Sequence, residues 1–550
     1  MLENIEVTIH GKKYRISRNM TLQELADNFA DKFKYPIILA RVDNKLKALI
    51  EEVQNNSKIE FLDLTSKEGH RVHISGLTFV LIYAIKKLYG KDANAEILHS
   101  IDKGIYVETN FKLTEAKLKA IKDKMLSIIE ADMPITKVVI ERDEALKYYK
   151  DMHDSVKIGI MSFNTNNYVT LYRLGNYYNY FYNLMPSSTG VLKSFDLTYI
   201  SEKGFCLRFP TIYIPDKIKA YKHHPGMFNV FEEYRNWAKL LRISNSVDLN
   251  KIVSTGKIDE LIRMNEALHN NNLLEIARQI SQKDKIKIVL LAGPSSSGKT
   301  TTSKKICMYL KSFGLNPKVL SMDDYFKERV DTPKDKDGNY DFECLEAMDI
   351  KLFDKQIEAL LSNKKVTIPR FNFITGKKEF SEELQLEQDD VLVIEGIHAL
   401  DTGILTNIPR SRKYKIYISP LTQINLDEHN RISTTDNRLL RRIVRDNRTR
   451  GYTVEKTLEI WDSVRAGEEK YIFPFQDEAD TTINSALIYE LGVLKTYVEP
   501  LLYSVSNDSI YYEEAKRLLK FMRMFFPIPS DAVPQDSILR EFIGNGCFHE

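Results

Sequence analysis

Cysteine is scarce: four in 550 residues, at Cys206, Cys307, Cys344 and Cys547. No two form a C-x-x-C pair, so neither a zinc site nor a disulfide framework is expected, and a reducing compartment fits. Excess charge is lacking as well. A formal net charge of +3 gives no argument for nucleic acid or an anionic membrane as partner, and leaves room for a local basic patch. No apolar run reaches membrane length; the longest lies near "LTFVLIYAI". The stretch "MLENIEVTIHGKKYRIS" alternates like a strand and does not read as a signal peptide. Low-complexity segments and short repeats are absent. Together these absences predict a cytoplasmic protein without a membrane partner.

What is present is ordinary in amount, 43% hydrophobic and 28% charged residues, in a chain too long for one core. Residues 1–63 alternate in short strands, with "TLQELADNFADKF" as an amphipathic helix capped by Thr21. Over 64–227, "GLTFVLIYAIKKLYG" predicts a buried helix and "TEAKLKAIKDKMLSIIEADM" an amphipathic one, before a tyrosine-rich stretch. Residues 228–284 are polar and helical and predict a connector. From 285 to 550, strand candidates "IKIVLLA", "PKVLSM", "DVLVIEGI" and "YKIYIS" alternate with helices, the pattern of a parallel sheet. The expected class is multidomain α/β.

"GPSSSGKT", residues 293–300, satisfies G-x-x-x-x-G-K-[ST] between an apolar strand and a helix. A chance match in a chain this long arises roughly a few per cent of the time, and the flanks make it rarer. Backbone N–H groups from Gly293 through Ser295, Ser296, Ser297, Gly298 and Thr301 would cradle phosphates. Lys299 would meet the terminal phosphates of ATP, and the Thr300 hydroxyl would meet Mg²⁺.

Further segments concern what receives the phosphate. "VLSMDDYF" places Asp323 and Asp324 at a strand's carboxyl end, where open parallel sheets bind ligands. Asp323 there suits the acceptor's proton or a metal. "VLVIEGIHAL" ends an apolar strand in Glu395, a carboxylate costly to bury without a cation or water. Arg438, Arg441, Arg442 and Arg445 share one helical face and would repel unless an anion sat there. Phe371 and Phe373 alternate in "PRFNF", placed to stack on a flat base or to fill a core.

In this order, the segments from about 285 to 487 resemble the uridine kinase and phosphoribulokinase family. The resemblance implies a P-loop NTPase unit that transfers the γ-phosphoryl group of ATP to a nucleoside 5′-hydroxyl. It assigns Asp323 to the acceptor hydroxyl and Glu395 and Thr300 to Mg²⁺, with Asp323 beside them. Tyr325 and Glu346 would face the substrate. Arg441, Arg442, Arg445 and Arg450 would close as a lid over ATP. One departure stands out. Family members that read pyrimidines carry a Tyr-Asp-Phe turn and then a histidine. Here the turn is Phe371, Asn372, Phe373, and Gly376 takes the histidine position, so the acceptor base is open and a related alcohol is an alternative.

Residues 1–63 are similar to the β-grasp TGS domain, and Thr65–Phe209 resembles the α+β editing domain of threonyl-tRNA synthetase. At the positions of that domain's metal-pocket residues stand Ser75, Phe79, Phe181 and Met185, so editing chemistry is expected to be lost. His70 and His73 are off the spacing of a ligand pair. The front half is then a regulatory, packing or RNA-contact platform, and self-association stays open. The competing reading is a nucleotide switch or RNA-binding regulator with the kinase unit as scaffold. Against it, the N-K-x-D motif of TGS-bearing GTPases is absent.

Overall fold

Alternation at Val7, Ile9 and Ile16 puts one face of each early strand inside. The computed structural model describes residues 4–334, 338, 340–372 and 375–548. In it, strands Asn4–Ile9, Lys12–Ser17, Ile37–Val42, Lys45–Ala48 and Ser57–Asp63 form one mixed sheet, with the first and last paired in parallel. The helix Leu22–Asp27 begins with a reciprocal cap. The Thr21 hydroxyl accepts from the Glu24 N–H, and the Glu24 carboxylate accepts from the Thr21 N–H.

The next unit is organised by the helix Lys67–Tyr89. It is long and apolar enough by composition to cross a membrane, which the shorter run "LTFVLIYAI" did not suggest. Here it is a core helix: Leu77, Phe79, Val80, Leu81, Ala84 and Ile85 are all fully buried. It packs on the helix Glu115–Glu130 and on two antiparallel sheets. One holds Ala95–Ile101, Gly104–Thr109, Gly204–Arg208 and Asp196–Tyr199; the other holds Ile135–Glu141, Tyr168–Leu174 and Tyr177–Asn179.

Helices Pro225–Leu240, Ser246–Ser254 and Ile258–Ser281 occupy the stretch expected to connect. They are no spacer. Leu261, Ile262, Leu273, Ile276 and Ile280 share one core with Val289, Leu291, Val393 and Ile416 of the rear sheet. An apolar stripe on an otherwise polar helix needs such a cover.

The rear sheet is parallel throughout, in the order Asn316–Ser321, Asp390–Glu395, Ile288–Ala292, Lys413–Ser419, Thr481–Asn484. Strands buried on both faces read as unbroken apolar runs, which is why "IVLLA" and "VLVI" do not alternate. The strand order reverses about Ile288–Ala292, and the crevice at the carboxyl ends lies there.

Front and rear halves are tied by buried charge. Lys157, on the helix Ser155–Phe163, meets Asp427 at 2.7 Å with both side chains 1% exposed. Arg71 pairs with Glu514, which also pairs with Arg517. Lys157→Ala leaves Asp427 buried without its cation and is expected to cost about 3–5 kcal/mol. Chemical denaturation measures this, and an unchanged midpoint refutes it.

Candidate active site

The loop at 293–300 is shaped by what its neighbours forbid. Gly298 sits at φ +87 and Ser296 at φ +59, so the chain turns through left-handed backbone. A Cβ on Gly298 would lie 2.4 Å from Ile538 Cδ1, and one on Gly293 would lie 2.2 Å from the Ile418 carbonyl oxygen. The Ser296, Ser297 and Thr302 hydroxyls are buried and find no partner among the described residues. Buried hydroxyls of this kind are costly unless a ligand or water meets them. Lys299 opens the helix Lys299–Ser312, and its Nζ donates to the carbonyls of Gly293 at 3.0 Å and Pro294 at 3.3 Å. Thr300 follows it, half-buried. The Ser295 N–H donates to Glu468 and the Thr301 N–H to Glu541, each at 3.0 Å.

Two strand ends bring acids to this loop. Asp323 lies in the 3-10 turn Met322–Tyr325, directly after the strand Asn316–Ser321. Ser321 pairs in register with Glu395 of the next strand. Its hydroxyl accepts from the Asp323 N–H at 3.3 Å and donates to Glu395 Oε1 at 3.1 Å, so one serine braces both acids. Burial raises the Asp323 carboxyl, while the charges of Lys299, Arg450 and Arg445 pull it down. Burial, then the charge of Asp323, pushes Glu395 up to about 7 against the pull of Lys299. The charge of Lys299 thus acts on both Asp323 and Glu395.

Several expected residues are placed elsewhere. Glu346 is exposed. A nearby acid that does sense Asp323 and Lys299, as Glu395 does, is Glu343, pushed up to about 7 by burial and Glu468. The helix Val454–Tyr471 closes over it at Gly467, where a Cβ would lie 2.3 Å from Glu343 Cβ. Tyr325 is a core residue, its hydroxyl donating to Gln356 at 2.8 Å. Phe371 is also core, its ring 5.8 Å from that of Phe326. Its N–H donates to Asp324 at 3.2 Å, so the second aspartate braces a strand. Phe373 lies outside the described residues. Gly376 sits at φ +70, left-handed backbone that costs any other residue strain, and a Cβ there would stand 2.8 Å from Arg329 Cδ, which would have to give way.

The arginines of the helix Thr434–Arg450 divide into two sets. Arg438 pairs with Glu468 and donates to the Ser295 carbonyl at 2.8 Å. Arg441, fully buried, pairs with Glu490 and donates to the carbonyls of Ser485 at 2.7 Å and Ser296 at 3.4 Å. The anions that relieve these two are carboxylates of the chain, and both arginines brace the loop from behind. This differs from the lid role expected of Arg441. Arg442 donates to Ser295 Oγ at 2.8 Å, and Arg442, Arg445 and Arg450 all engage Asp446. Of the set, Arg445 and Arg450 are the ones whose charge reaches Asp323.

A family model described as the phosphoribulokinase / uridine kinase family matches residues 288–489. The chain is 30% identical over 228 residues to the uridine kinase of Borrelia duttonii (strain Ly), covering 39% of this chain and 97% of that one. The chain belongs to the phosphoribulokinase/uridine kinase family. Its rear unit is therefore a kinase unit, and the front half of this kinase is similar to another class. It is 23% identical over 194 residues to the threonine–tRNA ligase of Caldanaerobacter subterraneus subsp. tengcongensis, and 31% over 169 residues to that of Thermotoga neapolitana. The kinase spans 30% and 26% of the length of those two ligases.

In that front half the four pocket positions are filled. Phe79 and Phe181 are buried with ring centroids 5.2 Å apart, and Met185 is buried with them in one core. Ser75 accepts from Asn183 at 3.3 Å. His73 is lowered to about 3 by burial, and His70 Nε2 lies 3.0 Å from the Pro210 carbonyl.

Proposed function

We propose that this family member transfers the γ-phosphoryl group of ATP to the 5′-hydroxyl of a nucleoside or of a related primary alcohol. The observation that carries this is Asp323, set at a strand's carboxyl end in the electrostatic field of Lys299.

The triphosphate lies along the loop's N–H donors beyond Ser295, up to Thr301, and the orphaned hydroxyls of Ser296 and Ser297 gain partners. Lys299 leaves the carbonyls of Gly293 and Pro294 for the terminal phosphates. Asp323 aligns the acceptor hydroxyl and takes its proton as the new oxygen–phosphorus bond forms and the bond from the γ-phosphorus to the bridging oxygen breaks, ADP leaving. Arg445 and Arg450 oppose the charge that develops on the transferred group.

Magnesium bound with ATP would neutralise phosphate charge, and Thr300, Glu395 and Asp323 are the residues that would hold it. The residues fit such an ion. Among the described residues no three carboxylate, histidine or cysteine side chains converge as a closed metal site. Magnesium usually takes one or two carboxylates and completes its shell with water and phosphate.

The acceptor base stays open: glycine stands at position 376, where the resemblance places a base-reading histidine, and Phe371 is spent in the core. We assign the front half a packing and regulatory role on the same grounds, its ligand positions being filled by phenylalanine and methionine. RNA contact through that half is supported only by its likeness to the ligases. A panel of nucleosides and simple alcohols incubated with ATP and magnesium tests the reading by product mass. A nucleoside gaining one phosphate at its 5′ position supports it. A protein that binds ATP and phosphorylates nothing in the panel overturns it.

A further inference from the structure

The first turn of the helix Lys299–Ser312 has donors to spare. The Thr302 N–H is taken by the Gly298 carbonyl at 3.1 Å, so the Thr301 N–H is the last one available to a ligand. Its partner is Glu541 Oε2 at 3.0 Å, a residue 240 positions away. A carboxylate at the positive end of a helix is the natural substitute for a phosphate oxygen. We propose that Glu541 is an internal competitor for the phosphate site, which ATP must displace in order to seat on the loop.

This rests on the nucleotide reading above and adds to it a residue that sets affinity. The carboxylate is delivered by a fixed backbone. Ile538 and Phe542 are fully buried, and Ile538 lies against Gly298. Asp536 pairs with Lys305 of the same helix at 2.9 Å. Arg448 donates to the carbonyls of Glu541 at 2.9 Å and Phe542 at 3.2 Å. The segment therefore stays, and only the half-buried Glu541 side chain has to turn. The charge of Glu541 also reaches Glu395, which it pushes up. A triphosphate arriving at Thr301 would meet a like charge as well as an occupied donor, and both are relieved when the side chain turns away.

Arg448 gives the contact a second meaning. It belongs to the helix that carries Arg442, Arg445 and Arg450, so the arginines over the site and the backbone of Glu541 are held by one element.

The test is the affinity for magnesium·ATP, by calorimetry, of wild type, Glu541→Ala and Glu541→Gln, each first shown to be folded by its thermal melt. Loss of a charge-assisted competitor is expected to tighten binding by about tenfold in Glu541→Ala. Glu541→Gln keeps the shape and the acceptor oxygen but loses the charge, and should fall between the two. Equal or weaker affinity in both variants, with wild-type binding intact, overturns this inference and leaves the kinase reading standing. A folded wild type and variants that all fail to bind ATP overturn the nucleotide reading, and this one with it.

Discussion

Asp323→Asn is expected to lower phosphoryl transfer by about a thousandfold, within the range that removal of a positioned proton acceptor produces. Affinity for ATP should hold. Asparagine keeps the shape, and Ser321 can still accept from the N–H of residue 323, so the turn survives. What disappears is the group able to take the acceptor's proton. The substitution also removes the charge that pushes Glu395 up, so Glu395 ionises more readily and remains suited to a cation. Single-turnover rates beside a binding isotherm separate the two effects. Turnover at the wild-type rate would show that Asp323 is not the proton acceptor.

Lys299→Ala removes two things at once, and its expected effect is larger: at least about a thousandfold, from the loss of the cation that meets the terminal phosphates. The second loss is electrostatic. Burial raises the Asp323 carboxyl, and Lys299 is the foremost charge opposing that rise. Without it Asp323 holds its proton to higher pH and cannot accept another. Residual activity in the variant should therefore climb as pH rises, across a range where the wild type is flatter. A pH–rate profile parallel to wild type would show that the two groups are not coupled.

The loop, the parallel strands and the acids at their ends were legible because each is written in adjacent residues. "IVLLAGPSSSGKT" carries strand, turn and helix start in one stretch, and Asp323 and Glu395 follow their strands directly. What escaped was set by distant partners. Arg441 reads as one more cation on a basic face until Glu490 arrives from 49 residues away. Glu343 and Glu346 stand three apart in a segment without period, so no pattern could say which turns inward. Phe371 shows its alternation but not the phenylalanine that covers it. The helix Ile258–Ser281 carries enough polar residues to look like a spacer, and only the sheet beneath explains its apolar stripe.

The Lys157–Asp427 pair bears on how the two halves could be inherited. Each half on its own would return its charge to water, whereas a half docked on a partner lacking the opposite charge would bury Lys157 or Asp427 unpaired, so the two have to be inherited as a match. Grafting a ligase's front half onto this kinase unit would then succeed only where the graft brings its own cation to face Asp427.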